Sequence, residues 1–504
     1  MIASVPSATL LGATGHPVSV EVHVSSGLPG FAIVGLPDTS CREARDRVRA
    51  ALLSSGLRWP QKRITVNLAP TGIRKAGAQL DLAIAVAVLV ADEVLPPSAV
   101  AGRGFLGELG LDGSVRPVAG TVPLVDALRA TEAVVAARSV VDAELVGRHR
   151  VRPVADLRSL VAALADRAPW PTPPRPAPPP PEPPEPDLAE VRGQPFARRA
   201  LELSAAGGHH LLLVGPPGAG KTMLARRLPG LLPDLDHRAA MEATRIHSAA
   251  GVGLPAGGLV RRPPFRAPHH GASPVALTGG GSGTLRPGEL SLAHGGVLFL
   301  DELGEFAAVA IDALRQPLEE GVIRVSRAAA SVALPARVLL VAATNPCPCG
   351  AAGTPGSCRC ADAARARYLR RLSGPLLDRF DLRIDVALPE TDALLGAPDE
   401  ETTAVVRTRV EAARARAAER GVERNADLPA HRLDELAPLA PDAKVLLESA
   451  LRAGRLSGRG LHRIRRLART AADLDDVGEL VSAEHVALAL QLRAEPAVLI
   501  GDAA

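Results

Sequence analysis

The sequence predicts an α+β domain, then an α/β domain built on a parallel sheet, then a helical C-terminal segment. Three observations carry this. Alternating apolar residues and helical stretches fill the chain before residue 168, short apolar strands alternate with helical stretches after residue 187, and an Ala-, Leu-, Arg- and Glu-rich tail begins near Thr402. At 504 residues the chain is too long for one compact core.

In the first domain, 1–167, Val18, Val20, Val22 and Val24 alternate as one face of a strand, and Ile64 to Leu68 reads as another. Arg42 to Ser54 and Asp81 to Ala91 read as helices, and Phe105 to Leu109 followed by Leu111 to Val115 as strand-turn-strand. Ala168 to Pro186 is so rich in proline that neither helix nor central strand can form, which predicts an extended spacer at 168–186. The α/β domain is placed at 187–395, with strands at Leu211 to Val214, Val297 to Leu300 and Val338 to Ala342. Residues 396–504 form the helical segment.

Composition excludes several classes. The net charge of +4 is too small to advertise nucleic-acid binding, so basic character must be local. The longest apolar run, Leu82 to Ala91, is too short to span a bilayer, and the uncharged opening Met1 to Val5 gives no expectation of a secretory leader. Four of the five cysteines crowd into 347–360, which argues against a dispersed disulfide framework, so the expected location is the cytoplasm. Cys41 stands apart and reads as a core residue. Lysine occurs only at 62, 75, 221 and 444.

The phosphate-loop pattern G-x-x-x-x-G-K-T appears at Gly215, Pro216, Pro217, Gly218, Ala219, Gly220, Lys221 and Thr222, directly after an apolar strand. Its glycines let backbone N–H groups turn toward the α- and β-phosphates of ATP, Lys221 meets the β/γ oxygens, and the Thr222 hydroxyl reaches Mg²⁺. Met223 opens the helix whose positive end faces the anion. Asp301 and Glu302 end the next apolar strand, where Asp301 would hold Mg²⁺ and Glu302 would activate water. Asn345 ends the third strand and can hydrogen-bond that water or the γ-phosphate.

With these motifs in order, the chain resembles the ComM/YifB family of magnesium-chelatase-like AAA+ ATPases over nearly its full length. The run Arg262-Pro263-Pro264-Phe265-Arg266-Ala267-Pro268-His269-His270, then Ala276 to Gly281 and Leu285 to His294, carries the resemblance most specifically. It implies an AAA+ core, a helical lid and a homo-oligomeric ring, expected to be a hexamer. ComM-type members of the family are DNA helicases that drive branch migration in recombination during natural transformation. Asn345 matches sensor 1. Asp378-Arg379-Phe380 resembles the segment with the arginine finger, which would place Arg379 on a neighbour's γ-phosphate. Leu456 to Arg463 resembles sensor 2, with Arg459 as the contact and Arg463, Arg465 and Arg466 as rivals.

Arg261, Arg262, Arg266, His269 and His270 lie in a Pro- and Gly-rich run that reads as an insertion loop of the kind that lines ring pores. Arg324 and Arg327 would sit near the tip of a hairpin over 321–332. Both loops are candidates for DNA phosphates. The N-terminal domain resembles the Lon-protease-like fold, yet Gln79 stands at the nucleophile position and no lysine follows between Lys75 and Lys221. An amide cannot replace a serine hydroxyl, nor arginine a general base, so proteolysis is not expected.

Cys347, Cys349, Cys358 and Cys360 form C-x-C-x8-C-x-C, which can make a tetrahedral Zn²⁺ site or remain as reduced thiols. For function, a DNA motor leads. An ATPase subunit of a metal-insertion complex and a non-motor, ATP-gated assembly module stay open.

Overall fold

The computed structural model describes residues 1–172, 185–256, 258–281, 285–327, 330–351, 358–371, 374–396 and 401–493. Most of the proline run, 173–184, and the Arg327 side chain lie outside the described residues.

Strands β1 (Ile2–Leu11), β2 (Thr14–Ser25), β3 (Gly30–Val34) and β4 (Arg63–Ala69) form a sheet in the order β1-β2-β4-β3, with β3 parallel to β4 and the other pairs antiparallel. The four alternating valines of β2 are all buried, as the period-2 pattern requires. Helix Thr39–Ser54 starts at Asp38, whose carboxylate accepts from the Cys41 amide at 2.8 Å. Helix Asp81–Ala91 is buried at every residue and packs against β1 and β2. Even its first residue is enclosed, so burial pushes Asp81 up to about 6 despite the Arg47 guanidinium 2.6 Å away. Cys41 lies in the same core, where burial and the nearby Asp38 push its thiol up, keeping it protonated.

The predicted strand-turn-strand near 105–115 forms differently. Strand β5 (Arg103–Leu106) is followed by a minimal hairpin of β6 (Glu108–Leu109) and β7 (Val115–Arg116), then by β8 (Glu132–Ala136) and β9 (Arg150–Val154). Strands β5, β8 and β9 make their own parallel sheet. The break falls at Gly107, where a Cβ would come within 2.8 Å of Val115 Cγ1.

The second domain holds β10 (Leu211–Val214), β11 (Phe265–Arg266), β12 (Val297–Leu300), the hairpin β13 (Val322–Arg327) and β14 (Ala330–Pro335), then β15 (Leu339–Thr344) and β16 (Leu382–Asp385). Five of these form one parallel sheet in the order β11-β12-β15-β10-β16. Every residue of β10, β12 and β15 is buried, the signature of a sheet covered on both faces. One expectation is corrected here. The run 261–270 is not wholly an insertion loop, because Phe265 and Arg266 pair with Val297 and Leu298 as the edge strand of this sheet.

The two domains on either side of the proline run are packed together. Gly120 N donates to Ser248 O at 2.7 Å, Arg245 Nη2 meets Asp126 Oδ2 at 2.8 Å, and Leu124 and Val125 share one apolar cluster with Ile246, Leu298 and Leu300. From 401 to 493 the chain is helical, with long helices at Thr403–Glu419, Pro441–Arg452, Gly458–Leu474 and Ala483–Leu492. Among the described residues no helix is long and apolar enough to cross a membrane.

A polar latch joins the sheet to these helices. His209, just before β10, places Nδ1 3.3 Å from Asp381 Oδ2 and Nε2 2.8 Å from Thr470 Oγ1, while Arg463 Nη1 lies 3.3 Å from Asp381 Oδ1. Burial opposes the Asp381 charge, but the His209 hydrogen bond and the charges of His209 and Arg463 outweigh it and hold the carboxyl far below its usual range. The stabilisation this brings is therefore full above an unfolded-state value near 4 and is lost as pH falls toward the folded value. Asp381→Asn should cost about 3 kcal/mol at neutral pH. Chemical denaturation at pH 7 and again at low pH checks this, with the gap between wild type and variant narrowing in acid.

Candidate functional site

Sheet order decides which side chains meet. Strand β15 lies between β12 and β10, with Leu300 opposite Ala342 and Val214 opposite Thr344, so residues 301, 345 and 215 leave adjacent strand tips together. The phosphate loop then turns through Gly218 and Gly220, both at positive φ, into helix Lys221–Leu231. Gly215 has no room for a side chain, since a Cβ would lie 2.2 Å from the carbonyl of Val386, just past the end of β16.

The predicted groups converge here. Lys221 Nζ donates to Gly215 O at 2.6 Å, Pro216 O at 2.9 Å and Asn345 Oδ1 at 3.1 Å. Thr222 Oγ1 donates to Asp301 Oδ2 at 2.7 Å. Burial lowers the Lys221 pKa, while the charges of Asp301 and Glu302 act in the opposite direction. A hydroxyl and a carboxylate this close are the oxygen pair that a hard divalent cation takes, and Lys221 beside the glycine turn is the charge a polyphosphate takes. The residues present fit ATP and Mg²⁺. Glu302 follows at φ +53°, a left-handed conformation rare for a side-chain-bearing residue.

One partner of Glu302 was not foreseen. His270 Nδ1 lies 2.9 Å from Glu302 Oε2, so this histidine faces the carboxylate instead of projecting as a free phosphate ligand. Other basic candidates are also engaged. Arg266 makes a two-pronged pair with Glu289 at 2.6 and 2.8 Å, Arg262 pairs with Glu185, and Arg324 lies 3.2 Å from Glu320. Arg261 and His269 are exposed.

Arg379 and Arg459 do not reach the phosphate loop of their own chain. They line a separate cleft of about 430 Å³ with Arg463, Arg466 and Arg493. Arg379 is held by Glu319 at 2.6 Å, a different carboxylate from its sequence neighbours Asp378 and Asp381. Arg463, Arg465 and Arg466 are committed to Asp381, Asp434 and the Leu428 carbonyl, whereas Arg459 is exposed at the start of its helix with no ion pair among the described residues. Sequence reasoning also missed Tyr368, whose hydroxyl is 2.9 Å from Thr344 Oγ1, next to Asn345. Being the one tyrosine in the chain was its available signal.

Fold and site define a parallel-sheet phosphate-loop protein of the AAA+ class. The family model described as magnesium chelatase, subunit ChlI, matches residues 187–394, a second ChlI model matches 20–139, and the ChlI C-terminal model matches 400–493. An uncharacterized protein of Mycobacterium tuberculosis strain H37Rv is 46% identical over 487 residues, covering 93% of this chain and 94% of its own. The uncharacterized protein YifB of Escherichia coli K12 is 42% identical, covering 97% and 96%, and the competence protein ComM of Haemophilus influenzae is 42% identical, covering 98% and 97%. The chain belongs to the ComM/YifB family of magnesium-chelatase-like AAA+ proteins.

Gly215→Ala should force the phosphate loop away from Val386 at a cost of roughly 1–3 kcal/mol. A lowered urea midpoint with an unchanged m-value checks it.

Proposed function

We propose that this chain is an ATP-hydrolysing, ring-forming motor that acts on DNA. The observation that carries the reading is the division of the catalytic set. Lys221, Thr222, Asp301 and Asn345 gather at one end of the sheet, while Arg379 and Arg459 line a cleft that contains none of them. When the finger arginine faces away from its own phosphoryl-transfer site, a neighbour's arginine completes that site, and repetition of the contact makes a closed ring. The hexamer is the size the family resemblance supplies.

On this reading Lys221 and the loop amides hold the phosphates, and Thr222 with Asp301 hold Mg²⁺. The metal, when bound, neutralises charge on the β- and γ-phosphates. Asn345 fixes the attacking water against the γ-phosphate, and Glu302 orients it and takes its proton. His270 draws the Glu302 carboxylate to one side, so it governs how much of the glutamate is free for that task. Arg379 and Arg459 act on the nucleotide of the adjoining subunit, where a guanidinium stabilises charge as the bond to the leaving phosphate breaks.

DNA as the partner is supported by the similarity to the competence protein ComM and by the exposed Arg261 and His269, the latter stacked beside His270. The N-terminal domain serves as a binding or assembly module and not as a peptidase. Where a Lon-type nucleophile would stand, Gln79 is buried and donates to the Ala76 carbonyl and to Thr9.

Turnover should rise with single-stranded, duplex or four-way-junction DNA, and junctions should be unwound. ATPase and strand-separation assays test this, and absence of both responses sinks the motor reading. Lys221→Ala and Glu302→Gln should each abolish hydrolysis, the second while retaining ATP. Arg379→Ala should lower turnover about 10³-fold yet leave ATP affinity within a few-fold, and mixing it with Lys221→Ala chains should restore part of the activity. His270→Ala should change ATP turnover several-fold while DNA affinity, read by anisotropy, stays nearly constant. The opposite pattern would return His270 to the DNA-binding set.

A further inference from the structure

The four clustered cysteines sit on a segment between β15 and helix Asp362–Arg371 that makes no strand or helix among its described residues. Their Sγ atoms all lie within 4.8 Å of one another, with Cys347 3.3 Å from Cys349 and 3.8 Å from Cys358, and Cys349 3.7 Å from Cys358. Thiolates held tetrahedrally at a Zn–S distance of about 2.3 Å are separated from one another by about 3.8 Å. Only Cys347 is buried, so apolar packing does not explain why the other three converge.

The cluster also lies against the nucleotide site from two directions. Cys347 is two residues past Asn345, and Gly350, at φ +78°, closes a turn onto the Cys347 carbonyl at 2.9 Å. That turn rests on the phosphate loop, because a Cβ on Gly350 would lie 2.4 Å from Pro217 Cδ. On the far side, Cys360 leads directly into helix Asp362–Arg371, whose Tyr368 bonds Thr344 and packs its ring beneath Gly304, two residues past Glu302.

We propose that Cys347, Cys349, Cys358 and Cys360 bind one Zn²⁺ as a closed tetrathiolate, and that this centre braces Pro217 and Asn345 in place for the nucleotide. Four protein ligands leave no open position, so the ion serves structure, and no reaction passes through it. Two separated stretches of chain are tied at one point, each touching a different part of the phosphate-binding end. The brace rests on the nucleotide-site reading given above. The metal site does not.

The full-length chain, purified without chelator, is measured for bound metal by mass spectrometry, with far-UV circular dichroism recorded on every variant. One zinc per chain is expected, retained in Cys41→Ser and lost in Cys349→Ser and Cys360→Ser. Replacement by Co²⁺ should give the intense visible bands of a tetrahedral thiolate centre. A chain without stoichiometric zinc, or cluster variants that keep it, would overturn the site. Gly350→Ala leaves all four thiolates intact and presses on Pro217, so it should keep its zinc yet bind MgATP about tenfold more weakly. Unchanged MgATP affinity in Gly350→Ala, or in zinc-stripped chain with native circular dichroism, would overturn the brace. Wild-type chain with zinc but no MgATP binding marks failure of the nucleotide-site reading instead.

Discussion

The insertion of β15 between β12 and β10 is the constraint on which the rest depends. Parallel pairing sets the strand tips side by side, and the 2.7 Å contact of Thr222 with Asp301 and the 3.1 Å contact of Lys221 with Asn345 follow from that order. Without it, four residues separated by up to 124 positions would have no reason to meet. The sheet can hold them because its strands are buried on both faces, which leaves only the ends free to carry polar chemistry.

What was legible in the sequence was the local part. Val18 to Val24 announced a strand by alternation, Asp81 to Ala91 a buried helix by continuous apolarity, and the phosphate loop by glycines at the two positions that adopt positive φ. Hidden were the pairings between distant charges. Nothing in the run Arg262 to His270 tells that Arg266 is held by Glu289 or that His270 faces Glu302, because each partner is brought by a different turn of the fold. Counting exposed basic residues from sequence therefore overstated the free ones. Phe265 and Arg266 were equally hard to read, since a strand of two residues has no period to display.

Nor did the proline segment reveal the closeness of the domains. Its composition forbids helix and sheet, which describes how the chain crosses and nothing about the surfaces on either side. Those surfaces are complementary through small contacts. Ser248 serves two amides of the segment around helix Thr121–Ala127, and Asp126 receives Arg245, while the apolar cluster runs through both domains.

The latch at the opposite end of the sheet bears on the arginines. Asp381 lies two residues after Arg379, and its partner Arg463 lies one helical turn after Arg459. One ion pair thus fixes the segment that carries Arg379 and the helix that carries Arg459, and both arginines open into the cleft beside it. The two groups are therefore not independent. A change in the angle between helix Gly458–Leu474 and the sheet would shift Arg459 against Arg379, which stays with the sheet through the Asp381 amide on the His210 carbonyl, while the phosphate loop is held by β15 and Val386. In the proposed ring, such a motion would alter the arginines offered to a neighbour without disturbing the nucleotide its own subunit holds, the separation that a sequential motor requires.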